Sequence, residues 1–450
     1  HGLPRDAKKR WPSAKFVAIR AAAGCWHGAR RALANRPRNE LEFEQIRDGH
    51  GGPSRLLDKL ELTFFGTSSG APTPTRNQQS VGLRLGGETW LFDCGEATQH
   101  RMMRTHVTPP SVRRIFISHL HGDHIFGLPG LLCNLAAGTS EGSGDTVVQI
   151  VGPLGLRTWL RAVLGNSYVS LRTGGDRVLL QIHELEGMRA LSKQGRRLIP
   201  PYDAARRLPC ELQAAALMPE ADGSWQVPAL NEAWPPVRVR AVELEHTVPT
   251  VGWVLEEAPR AGRMQAARVL PLLEQHGISR RRLRDLKLGL PIMLPDGSEL
   301  RAEDYVEKFT TRKLAILSDT RDSSAAAPHT AGADLLVHEA TNACTDEDRR
   351  RGLTEREVRR TTVEHGHSTP QMAATFARDV GAKALVLTHF STRYPSTNHR
   401  TMGEIQRLAE AVFDGPVVTA ADLMTIQVNI DGSIGVEAPP AGTVWSQGAI

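Results

Sequence analysis

Regular alternation of apolar and polar positions begins near residue 60, where Leu60-Glu61-Leu62-Thr63-Phe64-Phe65 reads as a half-buried strand. A loop rich in Gly, Ser, Thr and Pro follows over 66–77. Two short apolar runs, 81–85 and 90–93, then flank Gly86-Gly87 as a hairpin. Residues 113–118 form a compact apolar strand that leads straight into a His-rich loop. Further strands are predicted over 147–151, 237–244, 251–256, 314–318, 335–338, 384–389 and 417–420. Helical stretches lie between them, notably 369–380 and 401–412. Strands alternating with helices predict a layered α/β domain. Two segments break the pattern and read as insertions. Residues 187–236 are rich in Pro, Arg and Ala with weak periodicity, and 259–308 carry a charged helical stretch ending in Ser279-Arg280-Arg281-Arg282-Leu283-Arg284-Asp285-Leu286-Lys287. The globular domain is expected to span 56–430, between a 1–55 leader and a 431–450 tail.

Composition narrows the class. With 450 residues, 40% apolar and 23% charged, the chain can bury a sizeable core and is neither fibrous nor wholly disordered. The net charge of +6 is carried mostly by Arg, whose planar fork suits phosphate, a weak pointer to an anionic partner. Five scattered cysteines without a CxxC pair exclude a disulfide framework or zinc knuckle. No apolar run approaches the roughly 18–20 residues that cross a bilayer, so a soluble protein without a membrane partner is expected. Residues 1–38 are rich in Arg and Ala and contain one acid, Asp6. That composition is transit-like. It points to a chloroplast or mitochondrion, with the cytoplasm or a plain disordered extension as the alternatives. The chain does not begin with Met and is expected to be part of a longer precursor.

The strongest chemical signal is Ser118-His119-Leu120-His121-Gly122-Asp123-His124, three imidazoles and a carboxylate on one loop after a strand. These are ligands that Zn²⁺ and similar ions prefer. The cluster divides naturally, His119 and His121 toward one ion, Asp123 and His124 toward a second. More potential ligands stand at later strand ends: His246, Asp319 and His389. His367 opens a helix at Ser368-Thr369-Pro370, where it can point into a site and act as general acid, and Glu339, at another strand end, can orient it. Ser391 and Arg393 follow His389 closely and could grip a phosphate. Asp93 is better placed to support ligands than to bind metal.

The HxHxDH run followed by His, Asp and His on successive strand ends resembles the metallo-β-lactamase superfamily. Finer blocks resemble ribonuclease Z, the tRNA 3′-end endonuclease. They are residues 65–77, the Phe92-Asp93-Cys94-Gly95-Glu96-Ala97-Thr98-Gln99 run, 119–130, His338-Glu339-Ala340-Thr341, His367-Ser368-Thr369 and 389–394. The resemblance covers about 60–422. It implies a four-layer αββα sandwich with a protruding arm, and two Zn²⁺ ions (other divalent ions being possible). One ion would be held by His119, His121 and His246, the other by Asp123, His124 and His389, with Asp319 bridging. It implies a catalytic role for Asp123, orienting the attacking hydroxide, and for His367 and Glu339. It implies RNA contacts from Arg76, Asn77, Ser391 and Arg393, and tRNA-backbone contacts from Arg280, Arg281 and Arg282 on the 259–308 arm. Precursor tRNA would be the substrate and a homodimer the working state. The chain departs from the family pattern in two places: the usual Gly-Pro pair is missing from the arm, and Pro74 stands where a Lys is usual. A small-ester phosphodiesterase or arylsulfatase of the same superfamily is the main alternative, and an RNA-binding protein with a dead metal site the second.

Overall fold

A computed structural model describes residues 59–439, except 139–141, 143, 174, 189–206, 231–236, 258–263, 288–289 and 307–310. The transit-like leader lies outside the described residues.

The first half of the chain builds one sheet from β1 (Lys59–Gly66), β2 (Ser80–Leu85), β3 (Glu88–Phe92), β4 (Val112–Phe116), β5 (Thr146–Pro153), β6 (Arg172–Thr173), β7 (Asp176–Leu185) and β8 (Glu211–Leu212). The chain then crosses to a second sheet with β9 (Trp225–Val227), β10 (Val237–Leu244) and β11 (Thr250–Glu257). An excursion holding the small hairpin β12 (Ile292–Met293) and β13 (Glu299–Leu300) intervenes. The second sheet resumes with β14 (Lys313–Ile316), β15 (Leu335–Glu339), β16 (Leu385–Thr388) and β17 (Val417–Thr419). Finally β18 (Thr425–Asn429) and β19 (Ile434–Glu437) return to the first sheet beside β1.

Alternation along the strands builds the layers. Leu62 and Phe64 of β1, Trp90 of β3, Phe116 of β4, Trp253 of β11, Leu314 of β14 and Val337 of β15 share one core between the sheets. The intervening positions turn outward. Leu91 and Ile115 meet the helices Leu128–Gly138 and Leu156–Asn166 in a second core. Ala315, Leu336 and Leu385 meet Pro370–Asp379 and His399–Glu410 in a third. The order helix, sheet, sheet, helix is the expected four-layer sandwich. The excursion between β11 and β14 has a small core of its own, with Val269, Leu273, Leu286, Ile292 and Leu300 buried together. Its root is closed by a bridge between Met264 and Val306.

Two expectations are corrected. The domain does not stop at 430, because β19 pairs with β18 across the Asp431-Gly432 turn. Nor is 187–236 simply an insertion. Its described parts include β8 and β9, which extend the two sheets, and Trp225 of β9 is buried in the core between them.

Candidate metal centre

The ligands cluster because their strands end at one edge of the sandwich. His119, His121, Asp123 and His124 follow β4, His246 follows β10, Asp319 follows β14 and His389 follows β16. Asp93 after β3 and His389 after β16 both take left-handed backbone, φ 57° and 58°. That conformation is uncommon for residues with a side chain and recurs at functional turns.

His119, His121, His246 and Asp319 bring ligand atoms within 4.8 Å of one another, and so do Asp123, His124 and His389. His119 Nε2 and His246 Nε2 lie 3.7 and 3.8 Å from Asp319 Oδ2. His124 Nε2 and His389 Nε2 lie 3.4 and 3.3 Å from Asp319 Oδ1. One carboxylate thus faces both groups with separate oxygens, the bridging position expected for it.

The surroundings decide which imidazole nitrogen is bare. Ser118 Oγ donates to Asp93 Oδ2 (2.8 Å) and accepts from His119 Nδ1 (2.9 Å). His124 Nδ1 donates to Asp93 Oδ2 (2.7 Å), and His246 Nδ1 to the Gly366 carbonyl (2.7 Å). The Thr341 hydroxyl gives its proton to Glu339 Oε2 (2.6 Å) and accepts from His389 Nδ1 (3.1 Å). Four imidazoles therefore spend their Nδ1–H outward, so that in the neutral form each turns a bare Nε2 inward, the arrangement in which outer partners prepare His for a metal. Gly366 is required here. Its φ is 87°, and a Cβ would meet His246 Nδ1 at 2.6 Å.

Electrostatics ask for cations at the same points. Burial opposes ionisation of Asp319, but the His389, His124 and His119 imidazoles outweigh it and hold the carboxyl well below its usual range. Burial and neighbouring imidazoles push His119 well below the usual His value. At His124 burial is outweighed by Asp319, Asp93 and Asp123, which hold the imidazole well above the usual His value. Asp319 Oδ1 is buried and has no hydrogen-bond partner. An unpaired carboxylate oxygen surrounded by bare imidazole nitrogens is costly without a cation and well suited to one. Nitrogen and oxygen donors without thiolate fit zinc and its neighbours.

Beside this cluster His367 Nδ1 stands 3.0 Å from Glu339 Oε1. Glu339 is fully buried and also accepts from Thr320 N (2.8 Å). Burial disfavours the His367 charge, but the Glu339 carboxylate overrides it and raises His367 to about 9. The Thr320 and Thr341 supports were not read from sequence, although Thr341 stands in the His338–Thr341 block. His338 bonds Ser323 Oγ (2.7 Å) and supports the strand end only.

Two of the expected RNA contacts are corrected and a third is narrowed. Arg76 is 2% exposed, and its guanidinium bonds Thr67 Oγ1 (2.6 Å) and the carbonyls of Tyr394 (2.9 Å) and Ala420 (3.1 Å) over the Phe390 ring. It fixes the 66–77 loop and has no face left for RNA. The Ser391 N–H is taken by the Thr341 carbonyl (3.0 Å), which leaves only its hydroxyl. Arg393 is committed to Asp348 (2.8 Å) and the Tyr394 hydroxyl (2.6 Å). Asn77 remains half-buried, donating to the Glu96 carbonyl. On the arm, Arg280 pairs with Glu274 and Arg282 with Asp285, while Arg281 is exposed. The arm arginines lie in a separate element from the metal cluster.

The chain is similar to several known proteins. A family model described as anti-Pycsar protein Apyc1 matches residues 60–140. The mouse zinc phosphodiesterase ELAC protein 1 is 34% identical over 394 residues, spanning 82% of this chain and 99% of the relative. Ribonuclease Z of Prochlorococcus marinus (strain MIT 9313) is 34% identical over 373 residues, spanning 82% and 98%. Among solved structures, human tRNase Z, short form (ELAC1), has 29% identity and a TM-score of 0.49, over 81% of this chain and 98% of that one.

Proposed function

The chain belongs to the ribonuclease Z family, and from that membership we infer that it is a zinc-dependent endoribonuclease of tRNA 3′ ends. It removes the 3′ trailer from precursor tRNA and leaves a 3′-hydroxyl on the tRNA and a 5′-phosphate on the trailer. The observation that carries this reading is the Asp319 carboxylate, shared between two ligand groups beside the His367–Glu339 pair.

Two zinc ions fit. His119, His121, His246 and Asp319 Oδ2 would hold one; Asp123, His124, His389 and Asp319 Oδ1 the other. When bound, such a pair supplies Lewis acidity toward a phosphodiester and its attacking water. The chain's own groups do the rest. Asp123 Oδ2, fixed by the Gly70 N–H at 2.6 Å, orients the water. His367, protonated through Glu339, hands a proton to the leaving 3′-oxygen, a poor leaving group that needs one. Asn77 and the Ser391 hydroxyl rim the site, and the arm's Arg281, with Arg280 and Arg282 beside it, meets the tRNA backbone. The working state is a homodimer.

Among the described residues no helix is long and apolar enough to cross a membrane. The transit-like leader makes a chloroplast or mitochondrion the compartment, which an import assay tests.

The decisive experiment incubates the purified protein with a precursor tRNA, with and without a chelator, and maps the cut. A chelator-sensitive cut at the trailer junction with a 3′-hydroxyl product is expected. Hydrolysis of small phosphodiesters with no cut in precursor tRNA would refute the reading.

A further inference from the structure

The segment between Glu339 and His367 joins the two members of the acid pair, and both of its feet stand in the site. At the first foot, Ala343 N donates to the Tyr394 hydroxyl (3.0 Å), and the Thr341 carbonyl accepts from Ser391. At the second, the Gly366 carbonyl accepts from His246, and His367 N donates to the Thr362 carbonyl (3.0 Å). Asp348, on the short helix Asp346–Arg350, ties the same segment to Arg393. The segment is therefore rim, built directly onto the ligands.

Its main helix, Glu355–Glu364, is polar on nearly every face. Thr362 is buried, Val358 and Val363 are half-buried, and every other residue is exposed. Little burial stabilises such a helix within its own fold. What holds it is a capping box between Thr354 and Glu357 and a bond from Gln371 to Glu355 (3.0 Å). Arg356, Arg359 and Arg360 share one side at i, i+3 and i+4.

Formal charge over the segment balances, but most of the acids are engaged elsewhere, Glu355 by the neutral Gln371 amide. Glu357 is in the cap, Asp348 holds Arg393 and the Thr345 cap, Glu347 pairs with Arg350 and Arg351, and Asp346 with Arg349 and Arg400. Arg360 reaches Glu364 at 4.0 Å. Among the described residues, Arg356 and Arg359 form no ion pair and stand exposed beside a site for an anionic polymer.

Resting on the ribonuclease reading above, we propose that Arg356 and Arg359 are a second RNA-binding element, taking backbone phosphates on the mature-tRNA side of the cut. The side follows from the chemistry. An in-line displacement puts the leaving oxygen opposite the water, so the proton donor His367 marks the leaving-group side. In this reading that side is the 3′ end of the mature tRNA. Arg359 and Arg356 stand about 10 and 15 Å back from Gly366 at ~1.5 Å of helix per residue. They reach nucleotides before the scissile bond, and Arg393, committed to Asp348, does not take that role.

The test compares R356E/R359E and R356K/R359K with wild type on three substrates: a precursor tRNA with a long trailer, an acceptor minihelix with a one-nucleotide trailer, and bis(p-nitrophenyl) phosphate. The Glu variant should raise KM about tenfold or more on both RNAs. It should also flatten the log–log salt dependence of kcat/KM by about 1.4–1.8, at ~0.7–0.9 for each of two phosphates no longer neutralised. The Lys variant should stay close to wild type, because the interaction is mainly charge. Hydrolysis of bis(p-nitrophenyl) phosphate, too short to reach the helix, should be retained. An unchanged KM and salt slope would overturn the proposal. So would a penalty that vanishes with the one-nucleotide trailer, since the Arg side chains would then be meeting the trailer, or an equal loss on the small diester, which would make the helix structural. Failure of the wild type to cut either RNA would instead refute the ribonuclease reading itself.

Discussion

Replacing Glu339 by Gln tests the acid pair without removing the acid. Gln keeps the size of the side chain and an oxygen for the Thr320 N–H, but it removes the buried negative charge 3.0 Å from His367 Nδ1. That charge is what lifts His367 to about 9 against burial, from an ordinary 6.5. Without it burial is opposed chiefly by Asp319, and His367 falls back toward its ordinary value. The sign is fixed. An acid must be protonated to work, so activity on a poor leaving group is retained below the His367 pKa and lost above it. At pH 7.5 a pKa of about 9 leaves ~97% of the imidazole charged, and 6.5 leaves ~9%, a tenfold loss from protonation alone. Bound cations lower both values, so the difference between the variants is the quantity to read. Single-turnover cleavage of precursor tRNA across pH should show the alkaline limb of Glu339→Gln displaced downward by up to about 2.5 units. A diester with an activated phenolate leaving group should show little displacement. An alkaline limb that stays in place would refute the assignment of Glu339 as the group that charges His367.

His367→Ala should keep both ions by elemental analysis and cleave precursor tRNA slower by about 10²–10⁴-fold; equal slowing on an activated diester would show a structural role instead. Asp319→Ala should lose most of the metal and all hydrolysis, since its two oxygens face the two ligand groups; retention of about two ions per chain would sink the bridging assignment. Arg76→Ala should lower stability by roughly 3–5 kcal/mol, because it orphans a buried network, seen as a lower Tm; a raised KM at unchanged Tm would restore an RNA contact. Replacing the segment between Met264 and Val306 by a Gly/Ser linker should raise KM for precursor tRNA about tenfold or more and spare small diesters; mixing such chains with Asp319→Ala chains should recover activity if one subunit's arm serves the other's site, and no recovery would argue for action within one chain.

Legibility in the sequence followed locality. His119, His121, Asp123 and His124 are adjacent residues on one loop, and the later ligands stand where apolar runs end. Periodicity therefore placed each at a strand end, and the family resemblance implied that all seven meet in one site. The α/β character was legible from strands alternating with helices, but the four layers followed from the family resemblance, because contiguous apolar runs such as Trp90-Leu91-Phe92 and Leu335-Leu336-Val337 do not declare which face meets which core. Arg76 was not legible. An Arg in a Pro- and Thr-rich loop reads as solvated, and what buries it are carbonyls of Tyr394 and Ala420, more than 300 positions away. The outward bonds that fix the imidazoles come from Ser118, Thr341 and Gly366, residue types with no pattern of their own. The terminal hairpin carries a signal, Asp431-Gly432 between two short alternating runs. Runs of four or five residues at a chain end are nonetheless weak evidence of a strand, and a tail is the natural reading of them.

The two Arg-bearing excursions occupy opposite ends of the strands, and this separates their tasks. In the second sheet Trp253 pairs with Ile316 and Glu256 with Lys313. Asp319 lies just beyond the Ile316 end of β14, and His246 just before the start of β11. The arm leaves after Glu257 and returns before Lys313, at the far ends of those same strands. A strand the length of β11, 8 residues, spans about 26 Å at ~3.3 Å per residue. The arm's root is thus set away from its own chain's metal cluster, and its arginines form their local pairs around a separate small core. The segment from Thr341 to Gly366 begins and ends among the ligands themselves. The first geometry suits a grip on the body of a large substrate, or on one being cut in a partner subunit; the second suits only nucleotides next to the scissile phosphate. Small diesters need neither, so losses confined to RNA, with separate signatures for each excursion, are what this arrangement requires.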